Sequence, residues 1–272
     1  MPTVTALITG ASSGIGEVFA ELCAQDRTNL ILVARSQDKL QALADRLRQA
    51  HGIQTLVIPT DLSQVGAAQR LFDQITSAGW TVDQLFNNAG FGSMGYFEEL
   101  PIEKHAELLQ VNVIALTELT RLFLPAMVTR KSGQILNVAS TASFQPGPNA
   151  CVYYASKAYV RYFSEGLQEE LAGTGVTVTC LAPGPTRTNF SEVAAMTQTP
   201  VFRYNSMDVR DVAAIGYRAL CRGKTLVVPG LANKLLQLSS KFSHWGIVKK
   251  VMKHVMQPLP PRGTAPRSES SR

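Results

Sequence analysis

Short apolar runs alternate with longer amphipathic stretches along most of the chain. Seven runs have the length and apolar content of buried strands: Val4–Thr9, Asn29–Ala34, Thr55–Ile58, Gln84–Asn87, Gln134–Val138, Val176–Leu181 and Lys224–Val228. The stretches between them repeat apolar residues every three to four positions, as helices do: Gly14–Gln25, Gln37–His51, Gln64–Ala78, Glu103–Thr129, Tyr153–Gly173 and Val209–Arg222. Apolar strands separated by helices predict right-handed βαβ units and a parallel sheet.

This pattern predicts an α/β fold of the doubly wound, Rossmann type, in which a parallel seven-stranded sheet has helices on both faces. No internal repeat and no linker is found before residue 230. We therefore predict one catalytic domain over residues 1–230 and a basic amphipathic helical extension over residues 231–256. The Pro-, Ser- and Arg-rich tail, residues 257–272, is predicted to be disordered.

The first strand is followed by a glycine-rich loop, Thr9-Gly-Ala-Ser-Ser-Gly-Ile-Gly16. Glycines at this point allow a tight turn and the close approach of a pyrophosphate to the N-terminus of a helix. Such loops also serve packing alone, but the strand before and the helix after favour phosphate binding. The candidate phosphate-binding residues are Gly10, Ser12, Ser13, Gly14, Ile15 and Gly16.

The ends of the second and third strands bear on the choice of cofactor. A carboxylate after the second strand would bind the ribose 2′-hydroxyl of NAD, whereas an arginine accommodates a 2′-phosphate. Arg35 and Ser36 stand there, which favours NADP over NAD; the alternative is a solvated arginine on a loop. After the third strand come Asp61 and Leu62, where Asp61 can cap the next helix, contact adenine, or do both.

Tyr153 and Lys157 lie four residues apart in a predicted helix, so the phenol and the ammonium share one face. A nearby cation favours the phenolate, and we therefore expect a lowered pKa of Tyr153 and proton transfer near neutral pH. The same spacing occurs on surface helices without catalytic meaning. The nucleotide-type loop upstream favours proton transfer coupled to a cofactor reaction.

Taken together, these residues resemble the short-chain dehydrogenase/reductase family in its single-domain form, over about Thr3–Gly230. Besides the glycine loop, Asn87-Asn-Ala-Gly90 and Pro183-Gly-Pro-Thr-Arg-Thr188 look like motifs of that family. The resemblance implies that these further residues contact the cofactor: Asn88, Ala89, Gly90, Tyr153, Lys157, Pro183, Gly184, Thr186 and Thr188. It implies a catalytic set of Asn112, Ser140, Tyr153 and Lys157.

By this resemblance, NADPH would reduce a carbonyl group without a metal, and the reverse reaction would oxidise an alcohol. Tyr153 would protonate the oxygen, Ser140 would hydrogen-bond it, and Lys157 would hold the nicotinamide ribose and lower the pKa of Tyr153. Asn112 would anchor a water that relays protons to Lys157. The alternatives are a backbone-satisfied Asn112 and a strand-end cap for Ser140. The family also implies a homodimer or homotetramer through the two long helices, Glu103–Thr129 and Tyr153–Gly173.

The resemblance places a variable substrate lid over Thr188–Met207, with apolar side chains at Phe190, Val193, Met196, Val201, Phe202 and Tyr204. Phe144, Pro146 and Pro148 would form the opposite wall. An apolar lid suits a hydrophobic aldehyde, ketone or oxoacyl compound, although it also packs on itself without a ligand. The sequence does not name the substrate.

Composition and charge argue against a zinc-binding, disulfide-rich, membrane-spanning or nucleic-acid-binding protein. The chain is 45% hydrophobic and 17% charged, as ordinary globular proteins are, and its four scattered cysteines form no zinc or disulfide pattern. We expect a reducing, cytoplasmic setting, because no signal-peptide pattern and no apolar run of about 20 residues is found. The net charge of +6 gives little support to nucleic-acid binding: residues 223–272 carry nine basic residues against Glu269 alone, a charge of +8.

Apolar residues of the extension recur at spacings of three and four, which predicts one apolar helix face: Leu235, Leu238, Phe242, Trp245, Val248, Met252 and Val255. This basic amphipathic pattern has three interpretations: packing over the substrate mouth or against a partner subunit, peripheral contact with a membrane surface, and contact with another partner. The alternative function is an NADP-binding sensor or scaffold docked on membranes through residues 231–256. Such a protein is expected to lack Tyr153 or Lys157, and both are present.

Overall fold

The computed structural model describes residues 4–187 and 206–242, and also positions 246, 248, 250, 252 and 256. In this part of the chain, parallel strands form one seven-stranded sheet in the order β3-β2-β1-β4-β5-β6-β7. The strands are β1 (Thr5–Thr9), β2 (Asn29–Ala34), β3 (Thr55–Pro59), β4 (Gln84–Asn87), β5 (Gly133–Val138), β6 (Val176–Leu181) and β7 (Leu226–Val227). The strand order reverses between β1 and β4, where such folds bind ligands. The predicted doubly wound sheet is confirmed.

Helices cover both faces of the sheet, because alternate strand side chains point to opposite faces. They are α1 (Gly14–Gln25), α2 (Gln37–His51), α3 (Ala67–Ser77), α4 (Ile102–Leu109), α5 (Leu116–Thr129), α6 (Cys151–Glu170), α7 (Val209–Cys221) and α8 (Leu231–Phe242). One core joins α1, α2 and α7 to strand residues such as Ile8 and Phe86. A second core joins α3 and α5 to Leu7 and Ile31, and thus lies on the other face.

The helix predicted over 153–173 spans Cys151–Glu170. Two other helices differ from their predicted bounds for local reasons. The helix predicted over 64–78 begins at Ala67, because Gly66 adopts a left-handed φ of 75° that an α-helix cannot contain. The helix predicted over 103–129 is interrupted by a π-helical turn, Gln110–Ala115, between α4 and α5. This turn contains Asn112, and π turns are frequent at functional sites.

The continuous helical stretch Ile102–Thr129 is long and apolar enough to cross a bilayer, judged by length and composition alone. The sequence offered no such segment, because no uninterrupted apolar run is long enough. In the fold, 44% of the most apolar 18 residues of this stretch are buried. Leu119, Phe123 and Met127 pack in the second core of the sheet. A core helix passes the same test, so the stretch is weak support for a membrane span.

Beyond β7, the extension has two different parts. Helix α8 turns Leu231, Leu235 and Leu238 towards solvent, with exposed fractions of 75%, 58% and 54%. Val248 and Met252, in contrast, are buried. The predicted apolar face is therefore buried only in part: Leu235 and Leu238 are exposed, whereas Val248 and Met252 are covered. The side chains of Phe242, Trp245 and Val255 lie outside the described residues, as do the tail and the predicted lid up to Asn205.

Candidate active site

The glycine loop is held tightly against the segment that follows β4. Gly10 has a left-handed φ of 67°, which glycine adopts without strain. A Cβ atom at Gly16 would lie 2.3 Å from the carbonyl oxygen of Gly10 and 2.5 Å from Nδ2 of Asn88. That Nδ2 donates to the carbonyl oxygen of Thr9 at 2.9 Å, and Thr9 Oγ1 accepts from the backbone N–H of Ala89 at 3.0 Å. The backbone can approach this closely only because residue 16 has no side chain.

The same loop leaves room and hydrogen-bond donors for an anion. Ser13 precedes α1 in extended conformation, and its side chain makes no capping hydrogen bond to the helix. Ser13 is exposed, and Ser12 and Gly14 are half-buried. The first backbone N–H groups of this 12-residue helix therefore face an accessible loop. Ile15 packs against the first core and anchors the turn. These features fit the pyrophosphate of a dinucleotide.

The ends of β2 and β3 come together beside the loop. The N–H of Thr60 donates to the carbonyl oxygen of Ala34 at 2.9 Å, and Arg35 is exposed after β2. Partial burial raises the pKa of Asp61, but hydrogen bonds from Ser63 and the charge of Arg35 outweigh this effect and lower it overall.

Asp61 Oδ1 accepts from the N–H of Ser63 at 3.0 Å, so Asp61 caps the turn after β3 and does not cap α3. The side chain of Leu62 is buried in the second core. A contact between Leu62 and adenine would therefore have to use its backbone. Ser36 precedes α2 without a side-chain capping bond.

Ser140 and Tyr153 are brought together from different elements. Ser140 lies two residues after β5 in extended conformation, and its Oγ accepts from the N–H of Ala142 at 3.1 Å. Burial raises the pKa of Tyr153 to about 12, although a hydrogen bond with the Ser140 side chain opposes the rise. The expected lowering of the Tyr153 pKa by Lys157 is therefore wrong for the chain by itself, because burial outweighs the hydrogen bond with Ser140.

Lys157 is buried one helical turn after Tyr153. Its Nζ donates to the carbonyl oxygen of Val138 at 2.8 Å. A Cβ atom at Gly90 would lie 3.4 Å from this Nζ and 2.9 Å from Oδ1 of Asn112. Burial lowers the pKa of Lys157 to about 8, because a charged ammonium loses hydration in the interior. Lys157, Asn112 and Gly90 thus meet at the edge where β4 and β5 end.

The side chain of Asn112 joins three segments. Nδ2 donates to the carbonyl oxygen of Phe91 at 2.9 Å and to Ser156 Oγ at 3.1 Å, and Oδ1 accepts from the N–H of Phe91 at 3.1 Å. Ser156 Oγ in turn donates to the carbonyl oxygen of Tyr153 at 2.7 Å. Asn112 thus holds the segment after β4 against α6, and the predicted water anchor stays a prediction.

Sequence reasoning missed Ser156 and Phe91. Phe91 contributes only backbone atoms to Asn112, so its side-chain type gives no signal. Ser156 lies three residues after Tyr153 and directly before Lys157. A serine inside a helix bonds readily to a backbone carbonyl of the preceding turn. The position of Ser156 between Tyr153 and Lys157 could therefore have indicated that it helps to position them.

The segment after β6 packs beside the segment that carries Ser140. The N–H of Thr141 donates to the carbonyl oxygen of Pro183 at 2.8 Å. Thr186 is buried, and its Oγ1 donates to the carbonyl oxygen of Gly184 at 2.9 Å. A Cβ atom at Gly184 would lie 2.5 Å from the side chain of Asn233 in α8. The backbone at Gly184 therefore packs closely against α8, as the glycine loop does against the segment after β4. Thr188 lies outside the described residues.

The predicted opposite wall is wrong at Phe144, which is buried in a core cluster with Leu116 and Val160. The guanidinium of Arg161 lies 4.6 Å from the centre of its ring. A different apolar cluster surrounds Tyr153, and it includes Met252 and Met256 from the end of the chain. In the described part of the chain, no three His, Cys, Asp or Glu side chains are grouped so as to hold a metal ion.

Comparisons with known proteins agree with this geometry. A family model described as short chain dehydrogenase matches residues 4–199. The very-long-chain 3-oxoacyl-CoA reductase of Anas platyrhynchos is 33% identical over 195 residues, which are 70% of this chain and 62% of that protein. The chain thus spans about three-fifths of the length of that relative.

Two solved structures share the fold over nearly the whole chain. A short-chain dehydrogenase from Sphingobium yanoikuyae in complex with NADPH is 30% identical, has a TM-score of 0.78, and is matched over 96% of this chain and 98% of that chain. A short chain dehydrogenase/reductase from Burkholderia phymatum in complex with NAD is 27% identical, also with a TM-score of 0.78, over 95% and 98%. Similar folds therefore hold either nicotinamide cofactor.

Proposed function

This chain belongs to the short-chain dehydrogenase/reductase family of nicotinamide-dependent oxidoreductases, and we propose that it reduces apolar carbonyl compounds with NADPH. The observation that carries the proposal is the hydrogen bond between Ser140 and Tyr153, with buried Lys157 one turn further along the same helix. An acid and a second hydrogen-bonding group converge there beside a loop that fits a dinucleotide. That combination suits protonation of a substrate oxygen.

The cofactor would be held along the carboxyl edge of β1 to β6. The N-terminus of α1 and the glycine loop would take the pyrophosphate, Arg35 and Ser36 the 2′-phosphate, and Lys157 the ribose next to the nicotinamide. NADPH supplies a hydride when it is bound. The segment Pro183–Thr186 and Gly90 would position the nicotinamide end. Asn88, Ala89 and Thr188 would make further contacts with the cofactor.

In this proposal, Tyr153 is the general acid and Ser140 binds the same substrate oxygen. With a pKa of about 12, the phenol keeps its proton at neutral pH. Reduction needs this protonated form, whereas alcohol oxidation needs the phenolate. The protonated phenol that prevails at neutral pH is therefore the form that the proposed reduction uses. Ser140 stabilises the charge that develops on the oxygen as the hydride arrives.

The test is NADPH oxidation by the purified chain across apolar aldehydes, ketones and 3-oxoacyl thioesters, with Tyr153→Phe and Tyr154→Phe compared. We expect Tyr153→Phe to lower kcat by roughly 100- to 10,000-fold while NADPH still binds. The neighbouring Tyr154 donates its hydroxyl to Met256 Sδ at 3.2 Å. Tyr154→Phe can change KM but should retain kcat, because Tyr154 is not the proposed proton donor. Turnover that survives Tyr153→Phe would show that another group supplies the proton.

The proposed preference for NADPH over NADH is based on Arg35, which is exposed after β2 and close enough to Asp61 to lower the pKa of Asp61. Arg35→Asp should lower the ratio of kcat/KM for NADPH to that for NADH by at least about tenfold, because a phosphate contact is replaced by repulsion. Lys39→Asp makes a similar charge change at an exposed position of α2 and serves as the control. An unchanged ratio in Arg35→Asp would refute this assignment.

We propose an apolar carbonyl compound as the substrate class. Its support is the apolar character of the cluster around Tyr153. The Anas platyrhynchos relative is named a 3-oxoacyl-CoA reductase, which makes 3-oxoacyl thioesters the first compounds to test beside simple ketones.

We propose a homodimer or homotetramer through the outer faces of α5 and α6. Family members are commonly oligomeric. Ile114, on the π turn before α5, is 43% exposed, and Tyr159 and Tyr162, on α6, are 39% and 64% exposed. Light scattering on the purified chain, with Tyr162→Asp as the variant, measures the oligomeric state. A monomeric wild-type chain would refute the proposal.

A second candidate role is peripheral contact with an anionic membrane, and the exposed leucines of α8 favour it. Leu231, Leu235 and Leu238 lie on one side of the helix, and the last 50 residues have a charge of +8. Exposed leucines beside lysines are typical of interfacial helices.

The membrane test is co-sedimentation with vesicles that contain phosphatidylserine. Leu235→Glu combined with Leu238→Glu should abolish sedimentation. Val65→Glu, at an 84% exposed position before α3, should not change it. Equal recovery of all three proteins would exclude the membrane role while leaving the reductase proposal untouched.

A further inference from the structure

Three described residues of the extension pack against the helix that carries Tyr153. Val248, Met252 and Met256 are 8%, 5% and 3% exposed. They form one apolar cluster with Leu108, Ala142, Ala150 and Tyr153, and Phe91, Met94, Val152 and Tyr154 pack against it. This cluster is separate from the two cores that fill the faces of the sheet. We call Val248, Met252 and Met256 the apolar wall.

Two hydrogen bonds fix the apolar wall to α6 and to the loop before it. The hydroxyl of Tyr154 donates to Sδ of Met256 at 3.2 Å, and Nδ2 of Asn149 donates to the carbonyl oxygen of Met256 at 3.4 Å. The ring of Tyr154 stands edge-on to that of Tyr153, with 5.9 Å between the ring centres. Met256 is therefore joined to the catalytic residue through a single side chain.

The loop around these contacts is arranged for Tyr154. A Cβ atom at Gly147 would lie 2.1 Å from the ring of Tyr154, so any other residue there would displace that ring. The N–H of Gly95 donates to the carbonyl oxygen of Asn149 at 2.8 Å. Tyr154 thus lies where three parts of the chain meet: the segment after β4, the loop before α6, and Met256 of the extension.

The composition of the cluster differs from that of the sheet cores. Three of the chain's seven methionines, Met94, Met252 and Met256, lie in it or against it. Methionine side chains are flexible and polarizable, and they adapt to ligands of different shape. A purely structural cluster gains little from a flexible residue beside a proton donor, whereas a surface that receives varied apolar groups gains adaptability.

We propose that the apolar wall binds the hydrocarbon part of the substrate and sets which chain lengths and branched groups the enzyme accepts. This inference rests on the proposed reductase function. Met252 and Met256 are then specificity-determining residues: their side chains contact the apolar substituent while Tyr153 and Ser140 hold the carbonyl oxygen. The preferred substrates carry a long or bulky apolar group next to the carbonyl carbon.

The experiment compares Met252→Ala, Met256→Ala and Met127→Ala in the full chain. Met127 is fully buried in the second core of the sheet, so Met127→Ala is the control for lost packing alone. For each protein, kcat and KM are measured with straight-chain methyl ketones of increasing length and with branched ketones. The expected result for the two wall variants is at least a fivefold change in the ratio of kcat/KM for branched to straight-chain ketones. Met127→Ala should keep the wild-type ratio.

Two outcomes overturn the inference: parallel profiles for wild type and both wall variants, or an equal change in Met127→Ala. A binding measurement separates this failure from failure of the reductase proposal. Thermal stabilisation of Tyr153→Phe by the same ketones, with NADP present, reports binding without turnover. If the ketone ranking shifts when Met252→Ala is added to Tyr153→Phe, the wall is supported even if no ketone is reduced. An unchanged ranking refutes it.

Discussion

The edge that fits the cofactor and the apolar wall are built from different contacts. At the cofactor edge, Gly10, Gly16 and Asn88 meet through backbone atoms and directed hydrogen bonds of about 3 Å. At the wall, Met252 and Met256 share one apolar cluster with Tyr153. Directed bonds fix one geometry, whereas apolar packing tolerates exchange of side chains. The difference suggests that reaction chemistry is specified at one edge and substrate choice at the other.

The largest effect is expected for Gly16→Ala, which should disrupt NADPH binding at the cofactor edge. The added Cβ would lie 2.3 Å from the carbonyl oxygen of Gly10, so the loop has to move. We expect NADPH affinity to fall by roughly 100-fold, or about 2.8 kcal/mol of binding free energy. The free energy of unfolding should fall by about 1–3 kcal/mol. Fluorescence titration with NADPH and urea unfolding measure the two quantities.

Gly166→Ala is the matched control, because it is the same substitution in another helix. A Cβ atom at Gly166 meets nothing within 4 Å. This variant should bind NADPH normally and gain about 0.5–1 kcal/mol of stability. Normal NADPH affinity in Gly16→Ala would contradict the proposed pyrophosphate site.

The link between Asn112 and Tyr153 is tested by two serines of α6. Ser156 and Ser164 are both buried, each accepts from an asparagine Nδ2, and each donates to a backbone carbonyl. Ser156→Ala and Ser164→Ala should therefore each cost about 1–3 kcal/mol of stability.

Only Ser156→Ala should lower kcat, by about tenfold with little change in KM, because Ser156 positions Tyr153. Steady-state kinetics and urea unfolding of both variants separate the two effects. If kcat falls equally in Ser164→Ala, the loss of activity reflects general loosening of α6 and Ser156 has no positioning role.

The buried ammonium of Lys157 predicts opposite trends in activity and stability. Its pKa of about 8 lies below the ordinary value of 10.5. Charged Lys157 is therefore lost as pH rises through 8, and kcat/KM for reduction should fall by up to about tenfold per pH unit above it. Between pH 8 and 10.5 the unfolded chain binds more protons at this residue, so the Lys157 contribution to the free energy of unfolding rises with pH. In Lys157→Met, this rise should disappear; a wild-type slope in the variant would contradict the assignment.

The smallest effect is expected at the exposed leucines of α8. Leu238 is 54% exposed, so Leu238→Gln should change the free energy of unfolding by less than about 0.5 kcal/mol. Met252→Ala, in contrast, should cost about 2 kcal/mol or more because Met252 is buried. Urea unfolding of both variants measures the difference. A large loss in Leu238→Gln would mean that α8 is covered in solution.

Local pattern was enough to predict the sheet and most of the catalytic edge. The predicted bounds of the first six strands agree within one residue, because each strand is an apolar run between turn residues. Ser140, Tyr153 and Lys157 were recognisable because motif spacing and strand ends place them at one edge. Their mutual approach follows from the parallel order of the strands.

The features that could not be predicted depend on contacts between distant parts of the chain. Tyr154 and Met256 are separated by 102 residues. The apolar period of the extension allowed packing over the substrate mouth but did not distinguish it from contact with a membrane or with a partner. The raised pKa of Tyr153 follows from burial, which the spacing to Lys157 does not reveal. Phe144 looked like a pocket residue because it lies near Tyr153 in sequence, yet the 3₁₀ turn Thr141–Phe144 directs it into the core.

The π-helical turn Gln110–Ala115 has a consequence for how this segment tolerates changes of length. A π turn closes its hydrogen bonds over five residues instead of four, so it holds one residue more than a regular turn, and each residue rotates a helix by about 100°. α4 turns Leu108 towards Tyr153, while α5 turns Leu119 into the sheet core. Deleting one residue between them would rotate one helix relative to the other, so that Leu108 and Leu119 could not both keep their present contacts. The number of residues here is therefore under stricter constraint than their identity.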